Sequence, residues 1–166
     1  MKLPEWLEHI SVQHSKAIDM GLDRMREIVA RLDLEKPAEK VVTVAGTNGK
    51  GSTVISAESL LLSAGMSVLS SISPHVKRFN ERIRINGEEA LDADICSAFQ
   101  TIDDARLLVN EIPLTYFEYS ALASLYLAKI VSKKHLKHKI VFLITLSLVI
   151  FVGRNLNRID NEINKY

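Results

Sequence analysis

The apolar positions of the chain fall into two periods. Across residues 4–34 the period is helical, and Leu22, Met25, Ile28, Val29 and Leu32 recur at three- and four-residue steps as one stripe of an amphipathic helix. Glu27 and Arg31 stand four apart on the opposite side, the spacing of an exposed ion pair. Pro37, set among Glu35, Lys36, Glu39 and Lys40, ends that pattern and predicts a loop. Val41–Ala45 then reads as a core strand. Beyond a glycine-rich loop, Val54, Ile55, Ala57, Leu61 and Leu62 predict a mainly apolar helix ending near Ala64, with Gly65 as its C′ residue. Met66–Ile72 reads as a second strand. Strand, helix and strand within about 30 residues make a βαβ unit, so the two strands are expected to be parallel with a right-handed crossover.

Further on, Ile83 and Ile85 alternate with Arg82 and Arg84, and Asn86-Gly87 is a tight-turn dipeptide. Asp92 is the expected N-cap of a helix whose buried stripe is Ile95, Phe99, Ile102 and Leu108–Val109. Asp103 and Asp104 are adjacent and therefore point to different sides of that helix, which favours a solvated face over an acid/base pair. Gln100 and Arg106 carry no special signal. After Pro113, Thr115 and Glu118 have the spacing of a capping box, opening a helix that runs through Ile130.

Composition narrows the class. With 166 residues, 47% apolar, 25% charged and a net charge of +1, the chain reads as a globular domain with no nucleic-acid surface. Cys96 is the only cysteine, excludes an internal disulfide, and is expected as a small buried thiol. Glu5 and Glu8 stand where a signal peptide would be apolar, so the cytoplasm is the expected location. The last part is different in character. Lys129, Lys133, Lys134, Lys137 and Lys139 with His135 and His138 form a basic run, followed by an apolar run from Ile140 to Val152 and an Asn-rich end. That apolar run is short of the ~20 residues that span a bilayer. A buried strand or an aggregation-prone tail is favoured over a membrane anchor.

The chemistry concentrates between the first strand and its helix, in Gly46-Thr47-Asn48-Gly49-Lys50-Gly51-Ser52-Thr53. The glycines let main-chain N–H groups approach an anion, and the following helix brings its unpaired N–H groups to the same point. Lys50 adds a mobile charge for outer phosphates, and Ser52 or Thr53 offers a hydroxyl to magnesium. The pattern G-x-x-x-x-G-K-[ST] is met only in part, because Val44 stands at its first glycine and Gly51 separates the lysine from the hydroxyl.

A second segment, Ser73-Pro74-His75-Val76-Lys77-Arg78-Phe79-Asn80-Glu81-Arg82-Ile83, follows the second strand at the sheet edge where such folds bind ligands. By composition alone it is a solvated loop. The string Gly-Thr-Asn-Gly-Lys-Gly-Ser, then Ser-Pro-His with Phe-Asn-Glu-Arg-Ile and Asn-Gly, together resemble the folylpolyglutamate synthase and dihydrofolate synthase family, relatives of the Mur ligases. Gly21–Met25 resembles the helix that precedes the family's phosphate loop, and Thr115-Tyr116-Phe117-Glu118 resembles its Thr-x-Phe-Glu segment. The resemblance implies ATP and magnesium as cofactors, with Lys50 on the outer phosphates and Ser52 on phosphate or metal. It makes Ser73 a magnesium ligand, and His75, Arg82, Thr115 and Phe117 substrate residues. It also implies transfer of the γ-phosphate to a folate or dihydropteroate carboxylate, and attack of glutamate on the acyl phosphate.

The resemblance covers residues 4–130; 131–166 form a divergent tail. Ile140–Leu143 is the possible start of the family's next core strand, but Ile144 stands where the family has a magnesium-binding glutamate, and no Gly-Gly follows. The expected fold is therefore a three-layer α/β arrangement, a mostly parallel sheet with helices on both faces, as an incomplete Mur-ligase-like ATPase domain. The expected protein is a monomer, truncated and weakly active at most. The competing readings are a Mur-type amino-acid ligase and a membrane-associated or misfolded remnant.

Overall fold

The computed structural model describes residues 1–13, 23–134 and 140–145. Its sheet is built from β1 (Lys40–Val44), β2 (Ser67–Ser71), β3 (Ile83–Ile85), β4 (Glu88–Glu89) and β5 (Ile140–Thr145), in the spatial order β1-β5-β2-β3-β4. The three long strands β1, β5 and β2 are parallel, and the β3–β4 hairpin continues the sheet antiparallel beside β2. The helices are α1 (Leu3–Val12), α2 (Asp23–Arg31), α3 (Lys50–Ser63), α4 (Asp92–Leu107) and α5 (Tyr116–Lys134).

β1 and β2 are parallel as expected of a βαβ unit, but they are not neighbours. β5 lies between them, with Thr43, Ile144 and Ser71 in one row across the three strands. Residues from beyond position 130 therefore supply the middle of the sheet. Its apolar run is continuous because both faces of the strand are covered. Val141 and Leu143 pack with Val54 and Val68 under α3, while Phe142 and Ile144 face the larger core formed with α1, α2, α4 and α5. Helices thus cover both faces, in three layers. The remainder of the apolar run and the Asn-rich end lie outside the described residues.

Several expectations need correction. The helical stretch 4–34 is two helices, and Gly21 and Leu22 lie outside the described residues. Met25 and Ile28 are fully buried, and the Glu27–Arg31 pair forms. Asp92 is the first residue of α4 and not its cap; its carboxylate accepts a hydrogen bond from Asn80 Nδ2 at 2.7 Å. Leu108 and Val109 are each 73% exposed, because α4 stops at Leu107 and its stripe ends with Ile102 and Ala105. Cys96 is half-buried against the core, and burial pushes its thiol up.

Asp103 does not face solvent as expected. Its Oδ1 accepts from Tyr119 Oη at 2.7 Å and Arg106 Nε at 2.6 Å, with His9 Nε2 at 3.8 Å, so it ties α1, α4 and α5 together. Burial, and then the hydrogen bond to that carboxylate, drive the Tyr119 phenol far up. Arg106 is itself buried and also holds Glu111. Asp104 is exposed and bonds Gln100, as a solvated face requires. Lys129 is no part of a free basic surface: its Nζ donates to Leu32 O at 3.0 Å and pairs with Asp33 at 2.7 Å, closing the C-terminal end of α2.

Phe142 is fully buried in the central strand, whereas Val42 on edge strand β1 is 44% exposed. Phe142→Ala is expected to cost about 3–5 kcal/mol and Val42→Ala less than ~1 kcal/mol, read as the shift in urea unfolding at constant slope.

Candidate functional site

The loop between β1 and α3 is short and exposed from Ala45 to Gly49. Gly49 sits before α3 at φ 74°, in the left-handed region where a side chain costs energy, and Gly46 stands at φ 153°. The turn carries the chain from the strand end into the helix, so the first N–H groups of α3 open onto the loop. Lys50 begins α3, and its ammonium folds back to donate to Gly46 O at 2.7 Å and Thr47 O at 3.3 Å. Thr53 Oγ1 donates to Gly49 O at 2.9 Å, fixing the first turn, while Ser52 is exposed beside it. Asn48 and Gly51 complete the loop and the first helical turn.

An open loop, a helix N-terminus and one ammonium are the ingredients of a phosphate seat, and here the ammonium is held by Gly46 O and Thr47 O. The fit to magnesium is weaker. Among the described residues no group of three or more His, Cys, Asp or Glu is placed to hold a metal, and the candidates Ser52 and Ser73 offer neutral hydroxyls. Magnesium is ordinarily held by one or two carboxylates together with substrate phosphates. At the predicted carboxylate position, Ile144 is 1% exposed in β5. The two candidate metal ligands, Ser52 and Ser73, are therefore both neutral hydroxyls.

The second loop leaves β2 at the same edge. Since β1, β5 and β2 are parallel and in register, Gly46 and Ser73 both follow strand C-termini, one strand apart, about 10 Å across the sheet. Ser73 is half-buried and is joined to Pro74 by a cis peptide bond. The loop then folds on a single carboxylate. Glu81 accepts the backbone N–H groups of Val76 at 2.7 Å, Lys77 at 2.8 Å and Arg78 at 2.8 Å. Those three bonds stabilise its charged form and hold it well below the usual range, at about 2. Asn80, buried, donates to Ala90 O at 2.8 Å and anchors the short 3-10 turn Phe79–Arg82 to the start of α4.

His75 and Arg82 are brought together: Arg82 Nε donates to His75 Nδ1 at 2.7 Å. A guanidinium has no acceptor, so Nδ1 accepts and the neutral ring carries its proton on Nε2. The Arg82 guanidinium lies over the rings of Phe79 and Tyr116, at 5.7 and 5.6 Å from their centroids. Burial lowers the Arg82 pKa and raises that of Tyr116. Thr115 and Phe117 take less direct places. Thr115 is buried and its Oγ1 accepts Glu118 N at 3.2 Å, while Glu118 Oε2 accepts Thr115 N at 2.7 Å, the reciprocal cap expected from their spacing. Phe117 is half-buried against the core.

Sequence reasoning missed Tyr116 and Phe79, whose rings meet edge to face at 6.0 Å under Arg82, and the clamp role of Glu81. An aromatic residue inside each quoted motif was the available signal.

No family model matches this chain. Curated relatives do. The chain is 46% identical over 127 residues to the dihydrofolate synthase/folylpolyglutamate synthase of Escherichia coli (strain K12), covering 76% of this chain and 29% of the relative. It is 42% identical over 127 residues to the protein of the same name from Haemophilus influenzae, covering 76% and 28%. Among solved structures, E. coli FolC in complex with DHPP and ADP superposes with a TM-score of 0.79 at 42% identity, covering 87% of this chain and 33% of that one. A Yersinia pestis bifunctional folylpolyglutamate synthase/dihydrofolate synthase complexed with AMPPNP and Mn ion gives 0.76 at 42% identity, covering 87% and 33%.

The fold is an α/β domain of the Mur-ligase type, a mostly parallel sheet between helical layers. Over 127 residues the chain is similar to the dihydrofolate synthase/folylpolyglutamate synthases, and it spans about 29% of the length of its E. coli relative.

The Glu81 clamp has a pH signature. A depressed carboxylate stabilises fully above its unfolded value, 4.5, and the contribution falls away as pH drops through the folded value of about 2. Protection of the Val76, Lys77 and Arg78 amides is therefore expected to hold from neutrality down to about pH 4.5 and to fade between there and pH 2. In Glu81→Gln it should be weak throughout, as measured by NMR amide exchange corrected for the intrinsic pH dependence.

Proposed function

We propose that this chain carries the nucleotide loop and part of the acceptor site of an ATP-dependent, ADP-forming ligase of folate metabolism. The reaction of the whole enzyme joins glutamate to dihydropteroate or a reduced folate through an acyl phosphate. The observation that carries the reading is the shared sheet edge: the Gly46–Ser52 loop with Lys50, and the clamped loop with His75 and Arg82, follow parallel strands only one strand apart. The bound ADP, DHPP and AMPPNP of the related solved structures support it.

In this reading the Gly46, Thr47, Asn48, Gly49 and Gly51 backbone and the N-terminus of α3 hold the phosphates, and Lys50 neutralises their outer charge. Ser52 or Thr53 lies at the phosphate–metal side, and Ser73 faces the same edge. Magnesium, when bound, supplies further charge neutralisation, and here it would arrive largely held by the nucleotide and water. His75 presents Nε2–H, and Arg82 a cation on an aromatic bed, to an anionic or heteroaromatic acceptor; Thr115 and Phe117 shape the wall behind them. In-line attack on the terminal phosphate depends chiefly on such positioning.

In the same reading the family-like part is residues 1–130 and the divergent part 131–166; the relatives match 127 residues of the chain. We further propose a cytoplasmic monomer that binds nucleotide. Among the described residues no helix is long and apolar enough to cross a membrane.

Isothermal titration with ATP and magnesium tests this. Binding is expected, with Lys50→Ala weakening it at least about tenfold, about 1.4 kcal/mol. No heat from the wild-type chain, indistinguishable from Lys50→Ala, overturns the proposal.

A further inference from the structure

The mechanism above leaves the buried carboxylate of Glu58 unused. Glu58 lies in the middle of α3, is 3% exposed, and faces the sheet. Its Oε1 accepts Arg84 Nε at 3.1 Å, and its other oxygen accepts the Ser70 hydroxyl. Ser70 on β2 and Arg84 on β3 are direct cross-strand partners, so one carboxylate holds both strands from the α3 side. Arg84 also donates to Gly87 O in the hairpin turn. That turn is seated on α3: a Cβ at Gly87 would meet Leu62 Cδ1 at 3.2 Å. Asn86 locks the turn to β2, accepting Val68 N on Oδ1 at 2.9 Å and donating its own N–H to Val68 O at 2.8 Å.

The two elements joined here are those that carry the candidate loops. α3 opens at Lys50, about 12 Å along the helix from Glu58. β3 begins one residue after Arg82, which lies about 7 Å along the chain from Arg84. Elsewhere these loops have separate supports: the Glu81 clamp and Asn80 hold the second loop to itself and to α4, and neither touches α3.

We propose that Glu58 and Arg84 are positioning residues, whose part-buried pair locks the helix of the nucleotide loop to the hairpin of the substrate loop and so fixes the spacing between the two. A buried ion pair is a poor source of net stability but loses heavily when one partner is removed. Directional bonding between helix and hairpin is what it supplies here. The functional side of this inference rests on the nucleotide reading above; the mechanical side does not.

The test uses the full 166-residue chain, with hydrogen exchange of peptides spanning 45–53 and 73–82 and of α5 as an internal control. Glu58→Gln is expected to raise exchange about tenfold in both loops. The double variant E58M/R84M removes both charges while keeping apolar bulk, so its melting temperature should return close to that of the wild type while both loops stay fast. Arg84→Lys should leave the loops near wild type. Wild-type loop exchange in the double variant, or a rise that includes α5 equally, overturns the proposal; if Glu58→Gln fails to fold, the double variant and Arg84→Lys decide. A second arm adds ATP and magnesium: protection of 45–53 should extend to 73–82 in the wild type and not in the double variant. Equal extension in both overturns the positioning role. No protection of 45–53 in the wild type overturns the nucleotide reading, while the ligand-free comparison still decides the lock.

Discussion

A strand buried on both faces and paired along both edges, β5, is the constraint on which the rest of the structure depends. Val141 and Leu143 turn to α3, Phe142 and Ile144 to the opposite helical layer, so six residues join two hydrophobic clusters into one molecule. Its register with β1 and β2 also brings the two strand C-termini level. Without it, β1 and β2 would have no common neighbour, and the loops after them no common edge. The position of this strand in the chain, far from the two it joins, means the sheet is completed by a long-range contact, with the loop-closure cost such contacts carry.

Much of this was legible in the sequence because the local signals were strong. Helical spacing, the Gly65 stop, the Asn86-Gly87 turn and the Thr115–Glu118 cap each rest on chemistry within a few residues, and each appears where expected. What failed was tertiary. Asp103 and Arg106 look like solvated helix residues until α1 and α5 pack against them, and Tyr119, sixteen residues away, completes the network. Lys129 sits in a run of lysines, yet its partner is the end of a helix almost a hundred residues earlier. Leu108 and Val109 fit the apolar period, but the helix stops before the period can place them. Periodicity assigns a face only while the element continues.

The candidate site divides along the same line. The turn at Gly46–Thr53 could be read from the string itself, since glycines that bend the chain into a helix start are a local arrangement. The pairing of His75 with Arg82 could not, because it depends on the Glu81 clamp bending the loop and on Tyr116 arriving from α5 to support the guanidinium. The bottom of that site is aromatic and its rim is charged, a combination that neither motif displays alone.

The posture of Lys50 has a consequence for selectivity. Its ammonium is already solvated by two carbonyl oxygens of its own loop, so an arriving anion meets a charge that has acceptors in hand. Capture is an exchange of oxygens, in which the ligand must outcompete Gly46 and Thr47. A singly charged ion offers little advantage in that exchange, while a chain of phosphates can draw the lysine outward and accept from the amides at the start of α3 in the same movement. In the proposed nucleotide reading, the loop would thereby discriminate by charge count before any base or sugar is sensed.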